Sequence, residues 1–439
     1  MDRHVPDPYP NIKAAVDACV DGDVVIISPG TYTGLQNRTI YLSGKAITVR
    51  GTDPTDPKTV ADTVIDCQGL GYAFYCRVSD AIISGLTITN ASGGVGGAIC
   101  CMGGSPKVTN CVISGNWATS GGGIACLAGS PEISNCILSD NSASPLGGAI
   151  YCNSNSHPTI TNCLVVKNAA SHGSCIYGSS TNAAIHNCTF SANGSSGSSI
   201  YCTSTSNMQV KNSILWTDVG ESGQEAFLTK LAGLSSLTIS HCDVRGGTSA
   251  VSVDTGSTLN WNAGNLNGDP LFVAGPFGEC YLEPASPCVD TGGDLASKLN
   301  LDKLTTQTNG QPDSGLVDMG HHYPATTMTI AAVIDVKPDT LNIASQGRWV
   351  NCYIWLPDEY NVVDIDPESI RLDGQISSAG LCVDEEGQVA IAKFLRAAVQ
   401  AIVEPEEVKL TVTGMLMDGI TTFQGSDALK VMAERGKKK

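Results

Sequence analysis

The sequence predicts an all-β fold, a right-handed parallel β-helix followed by a small β-sandwich. Six segments recur at a near-constant step, from Ser84-Gly85-Leu86-Thr87-Ile88 through Thr109-Asn110-Cys111-Val112-Ile113 to Lys211-Asn212-Ser213-Ile214-Leu215. Their matching positions, Leu86, Cys111, Cys136, Cys163, Cys188 and Ser213, lie 25, 25, 27, 25 and 25 residues apart. Such a period means a solenoid, whose repeats bury apolar side chains only by stacking on their neighbours. Two more segments repeat in phase, Ile99-Cys100-Cys101 to Ile200-Tyr201-Cys202 and Lys107-Val108-Thr109 to Gln209-Val210-Lys211. Each is short, β-branched and alternating, as a strand with one buried face must be. No segment of the repeats carries a 3.6-residue period long enough for a helix, so leucine-rich and helical repeats fit poorly.

At the N-terminus, Asn11 is placed to cap a short amphipathic helix over Ile12–Cys19. That helix would plug the open end of the solenoid, which otherwise exposes core and strand edges. In the coils, one inward column holds Ile99, Ile124, Ile150, Ile176 and Ile200, and another runs from Ile88 to Leu215. Cys111, Cys136, Cys163 and Cys188 are expected inside as well, because thiols behave as small hydrophobes. Asn110, Asn135, Asn162, Asn187 and Asn212 form one turn ladder, and Asn116, Asn141, Asn168 and Asn193 form another. Asn tolerates the left-handed conformation and can bond to the next coil, so both ladders are structural.

The N-terminal helix, the Pro29-Gly30-Thr31-Tyr32 turn, Gly44–Gly51 and Val64-Ile65-Asp66-Cys67 together resemble the start of the pectate-lyase-like right-handed β-helix superfamily. The likeness is nearest to a branch of large secreted bacterial surface proteins. The exit is similar too, in Asp269-Pro270-Leu271-Phe272, Ser286-Pro287-Cys288-Val289-Asp290 and Val317-Asp318-Met319-Gly320-His321-His322-Tyr323. The resemblance covers residues 5–324 and implies the fold. It leaves activity open, since that superfamily mixes lyases, hydrolases, epimerases and non-catalytic adhesins. After Pro324 the period stops and strands lengthen, and Ile334–Pro338 and Val363–Ile370 resemble a module of secreted bacterial proteins. Residues 326–433 are therefore read as an immunoglobulin-like sandwich, with Lys437-Lys438-Lys439 as a frayed tail.

A net charge of −17 argues against nucleic acid or an anionic membrane as partner. An acidic polysaccharide would need a local basic groove or bridging Ca²⁺. No apolar run reaches the ~20 residues that span a membrane. Met1-Asp2-Arg3-His4 leads straight into the first domain, so a mature form whose leader has been removed is expected. Most of the 18 cysteines fall on inward columns and read as free thiols, whereas Cys280 and Cys288 flank a Pro-rich turn and are the best placed to pair. No Cys-x-x-Cys pair offers zinc or redox chemistry.

An enzyme on this scaffold builds its site from outward side chains of adjacent coils. Asp80, Glu132 and Asp140 are scattered singly, which weighs against a hydrolase-like carboxylate cluster. One mixed patch remains if Ser240–Arg245 continues the ladder after a 29-residue step. It would combine Lys211 or Arg245 as base with Asp243, Asp218 and Asp243 as Ca²⁺ ligands, and Trp216 as a platform for a sugar ring. The alternative is an ordinary solvated surface. Tyr151, Tyr177 and Tyr201, with Tyr75 in phase, form an outward column whose rings, ~4.8 Å apart, could carry sugar or stack on one another. His321-His322 is a poor metal pair, since neighbours in a strand face opposite ways. Four glycosylation sequons begin at Asn37, Asn90, Asn187 and Asn193, the last two within ladders and so structural.

The expectation is an extracellular or cell-surface protein presenting a carbohydrate- or envelope-binding face, non-catalytic and without a cofactor other than Ca²⁺. The alternatives are a polysaccharide lyase or epimerase acting on uronate-containing glycans, and a self-assembling structural protein.

Overall fold

The computed structural model describes residues 1–194, 198–217, 224–325, 328–357, 360–384, 386, 388–405, 407–417 and 421–432. The chain forms two compact units, Met1–Thr308 with Pro312–Tyr323, and Asn309–Gln311 with Pro324–Lys439.

Three long parallel sheets build the first unit, with 11, 9 and 9 strands among the described residues, and a fourth, short parallel sheet has three. The first contains Lys107–Thr109, the second Val112–Ser114 and the third Ile124–Gly129. Along the second sheet Val112, Ile137, Leu164, Thr189, Ile214 and Asp243 are successive register partners. The 29-residue step is therefore real, and it also sets Lys211 beside Ser240. Ile99, Ile124, Ile150, Ile176 and Ile200 stack with no solvent exposure. Each such side chain contributes roughly 1.5–3 kcal/mol by leaving water, and only the neighbouring coils make that burial possible.

The turns explain the two asparagine ladders. Asn110, Asn135, Asn162, Asn187 and Asn212 all lie in the left-handed region, with φ of 53°, 52°, 51°, 52° and 50°. The inner ladder is buried and continuous. Asn116 Nδ2 donates to Asn141 Oδ1 at 2.9 Å, Asn141 to Asn168 at 3.0 Å and Asn168 to Asn193 at 3.0 Å. Each carboxamide also donates to a main-chain carbonyl of an adjacent coil, as Asn141 does to Ile113 at 2.8 Å. Buried amides are thus paired along the solenoid axis, as burial requires. At the N-terminus, α1 (Ile12–Asp17) is capped by Asn11, whose side chain accepts from the Ala14 N–H at 2.9 Å.

Seventeen of the 18 cysteines are buried, all as free thiols, and Cys382 is exposed. The expected Cys280–Cys288 pair is corrected. Cys280 packs with Leu164 and Tyr281, while Cys288 packs with Ile214 and Met319 and donates its thiol to Asp243 at 3.3 Å.

After the last coil the chain of this unit returns across the outer face of the second sheet. The hairpin Phe272–Gly275 and Gly278–Leu282 starts this covering layer. Its apolar residues cluster with outward side chains of the coils, Tyr281 and Tyr323 with Leu164 and Val166, and Leu282 and Met319 with Ile214. The second unit is a pair of sheets around its own core, which includes Val350, Phe394, Val412 and Phe423. Its longest strands are Glu407–Met415 and Thr421–Met432.

Candidate functional site

The structure brings Lys211, Asp243 and Arg245 onto adjacent coils but does not assemble an open patch from them. Asp243 is fully buried, which corrects its expected surface position. The covering layer lies over it. Asp243 accepts from the Gly268 N–H at 3.1 Å and the Cys288 thiol, and burial raises its pKa. Lys211 pairs with Asp294 at 2.5 Å, which holds the Asp294 carboxyl below the usual range. His186, its register partner, is pushed down by burial and by the Lys211 ammonium. Arg245 donates to the Thr217 carbonyl at 2.8 Å and lies 6.0 Å from the Trp216 ring centre. Trp216 itself packs against the covering layer beside Leu266 and Phe272, so its ring is not an open platform. Asp218 lies outside the described residues. A pair of cation ligands from Asp218 and Asp243 therefore has one buried, hydrogen-bonded member.

Tyr151, Tyr177 and Tyr201 form the expected column, continued by Phe227. Successive centroids are 5.5, 5.3 and 5.3 Å apart with planes within 16°. Tyr151 and Tyr177 are only 9% and 8% exposed. Val95, Leu127 and Leu146 pack beside them, and His172 meets Tyr201 edge-on at 5.0 Å. Burial, then the Tyr151 ring, pushes Tyr177 up to about 12. These rings are mostly occupied by one another, the alternative weighed for them from sequence.

Within the covering layer three carboxylates gather, two of them buried and Asp290 exposed. Asp290, Asp313 and Asp318 each place a carboxylate oxygen within 4.8 Å of the others, close enough to share a cation. In the structure they bond within the layer. Asp318 accepts from the Asp290 N–H at 2.7 Å and from the Thr306 hydroxyl, and Asp313 meets His322 Nε2 at 2.7 Å. Burial and the Asp313 charge raise the Asp318 pKa. His321 and His322 do point apart, as adjacent residues should. His321 Nδ1 contacts the Asn162 carbonyl at 2.9 Å, while His322 faces Asp313.

Sequence reasoning missed an open groove of about 590 Å³ on the early coils, lined by Asp66, Gln68, Asn90, Ser92 and Trp117. Trp117 starts a short outer strand, Trp117–Ser120, in register with Ser92 below and Ser142 above. Its side chain is 45% exposed although the ring is the largest in the protein's alphabet. Asp66 Oδ1 accepts from the Gln68 N–H at 2.8 Å and Asn90 Nδ2 at 3.1 Å. Gln68 Oε1 accepts from Gly34 N–H and Arg38, at 3.1 and 3.2 Å. One signal was available. Trp117 directly follows Asn116 of the inner ladder, and strand alternation sends it outward.

Residues 59–215 match a family model described as a right-handed beta helix region. Among solved structures the chain is similar to pectate lyase Pel9A, at 15% identity and a TM-score of 0.42, over 70% of this chain and 91% of that one. It is also similar to a pectin methylesterase from Aspergillus niger, at 15% identity and a TM-score of 0.32, over 61% and 82%. No curated protein matches it. No helix among the described residues is long and apolar enough to cross a membrane.

Proposed function

We propose that this right-handed parallel β-helix protein is a non-catalytic glycan binder that works outside the cell or at its surface. The observation that carries the reading is the groove beside Trp117. There a half-exposed indole and several polar side chains face open space, while the residues expected to do chemistry are buried or paired. A ligand site needs an apolar platform and a few placed polar groups, and this shallow, open groove has both. A lyase or epimerase at Lys211 would need its base free and its carboxylates open to substrate. Asp294 instead holds Lys211, and Asp243 is sealed.

The test is to incubate the protein with neutral and acidic polysaccharides, with and without Ca²⁺, while following unsaturated-uronate absorbance and new reducing ends. Retention on a polysaccharide without either product supports the reading. Product formation abolished by Lys211→Ala or Arg245→Ala would replace it with the enzyme.

A further inference from the structure

We propose that the groove beside Trp117 is a binding subsite for an uncharged glycan, hexose or N-acetylhexosamine, and not for a uronate. The inference rests on the reading of the chain as a glycan binder and names the ligand class and the place. Three observations carry it.

The hydrogen-bonding groups come first. Asp66 Oδ1 and Gln68 Oε1 are used within the protein, but Asp66 Oδ2, Gln68 Nε2, Asn90 Oδ1 and Trp117 Nε1 make no hydrogen bond among the described residues. They comprise two acceptors and two donors. A sugar hydroxyl both donates and accepts, so a diol satisfies such a mixed set where an anion satisfies only its donors.

The indole comes second. Trp117 leaves 45% of its surface in water at an outward position of a rigid coil. An exposed indole offers a flat apolar face with a polar N–H at its edge, and the C–H face of a pyranose suits it. Its strand is tied to both neighbours, at Ser92 and Ser142, so the backbone that carries the ring is held in advance and needs no ordering on binding.

Charge comes third. Asp66 is the charged residue among those lining the groove, and the whole chain carries −17. Arg38 donates to Gln68 Oε1 at 3.2 Å and is not itself one of the lining residues. A uronate carboxylate would meet Asp66 with no lining cation to offset it, and like charges at close range repel. An uncharged sugar meets no such cost. Asn90, which begins a sequon, is then a ligand contact in this groove.

The experiment is affinity electrophoresis of the full chain through gels carrying β-glucan, xylan, mannan, soluble chitin oligomers, polygalacturonate or alginate. Wild type is compared with Trp117→Ala, Trp117→Phe and Asp66→Asn, each checked for an unchanged thermal melt. The expected result is retardation by at least one neutral glycan and by neither uronate polymer. Trp117→Ala should weaken it at least about tenfold, and Trp117→Phe, which keeps a ring, by only a few-fold. Retardation by a uronate polymer that Trp117→Ala abolishes would overturn the ligand class while leaving the glycan-binding reading in place. Retardation indifferent to Trp117→Ala would overturn the site. No retardation in any gel would overturn both.

Discussion

Asn162 and His322, 160 residues apart, bind each other through two hydrogen bonds. The Asn162 Oδ1 accepts from the His322 N–H at 2.6 Å, and its Nδ2 donates to the His322 carbonyl at 2.9 Å. A turn-ladder asparagine thereby serves as a backbone-like partner for the covering layer. The same use recurs two coils on, where Asn212 Oδ1 accepts from the Gly293 N–H at 2.9 Å. Between them the Thr189 hydroxyl accepts from the His321 N–H at 2.9 Å. The layer that seals Asp243 is thus fastened to side chains of the coils as well as packed on them.

Asn162→Gly should loosen that layer. Glycine tolerates the φ of 51° at this position, so backbone strain is not added. The buried N–H and C=O of His322 lose their partner, at a cost of about 2–3 kcal/mol. Urea melts should show the loss, and hydrogen exchange should localise it to residues 318–323. Unchanged protection there would mean that packing alone holds the layer.

Acid should loosen it too. His321 is buried and held neutral, its pKa pushed down to about 3 by burial. The unfolded chain takes up that proton from about pH 6.5 downward. Unfolded molecules then bind more protons than folded ones, so stability falls as pH drops from 6.5 towards 3. The slope approaches about 1.4 kcal/mol per pH unit for this one group. His321→Gln should flatten the dependence of the urea midpoint between pH 6.5 and 4. An identical slope in the variant would assign the acid response to other groups.

The thiol ladders should be inert in the native protein. Burial pushes Cys67, Cys202 and Cys242 up to about 12, and only Cys382 is exposed. Because the thiolate is the reactive form, an aromatic disulfide reagent at pH 8 should titrate about one thiol per native chain. It should titrate all 18 after denaturation. Cys382→Ser should remove the native reaction, and rapid modification of several thiols would show that the coils open.

Lys211→Ala should matter little. The Lys211–Asp294 pair is about one-third exposed on each side, and pairs of that kind stabilise by about 0.2–1 kcal/mol. Glycan retention should be unchanged and the melt lowered by no more than about 4 °C, at ~2–4 °C per kcal/mol. Loss of retention would move the ligand site to this face.

The fold was legible because periodicity records it directly. The 25-residue step, the inward isoleucines and both asparagine ladders each report a contact with the next coil. Even the irregular step to Asp243 was reachable by letting Ser240–Arg245 continue the ladder, and the register bears that out. Exposure was not legible, because it depends on what else covers a face. Thr189, Ile214 and Asp243 point away from the coil axis as expected, yet residues 264–308 and 312–323 of the same unit bury them. The apolar outward residues Leu164, Val166 and Ile214 were the available warning, since an outer face of water-facing coils has no reason to be apolar. The groove was missed for the opposite reason. Asp66, Asn90 and Trp117 are unremarkable singly and line one groove only when the coils stack.

The most direct test of the account sets Trp117→Ala against Tyr201→Ser in the same glycan-containing gel. The account predicts that Trp117→Ala migrates as though no glycan were present, while Tyr201→Ser is retarded like the wild type. Retardation lost in Tyr201→Ser and kept in Trp117→Ala would contradict it and return the ligand to the tyrosine column.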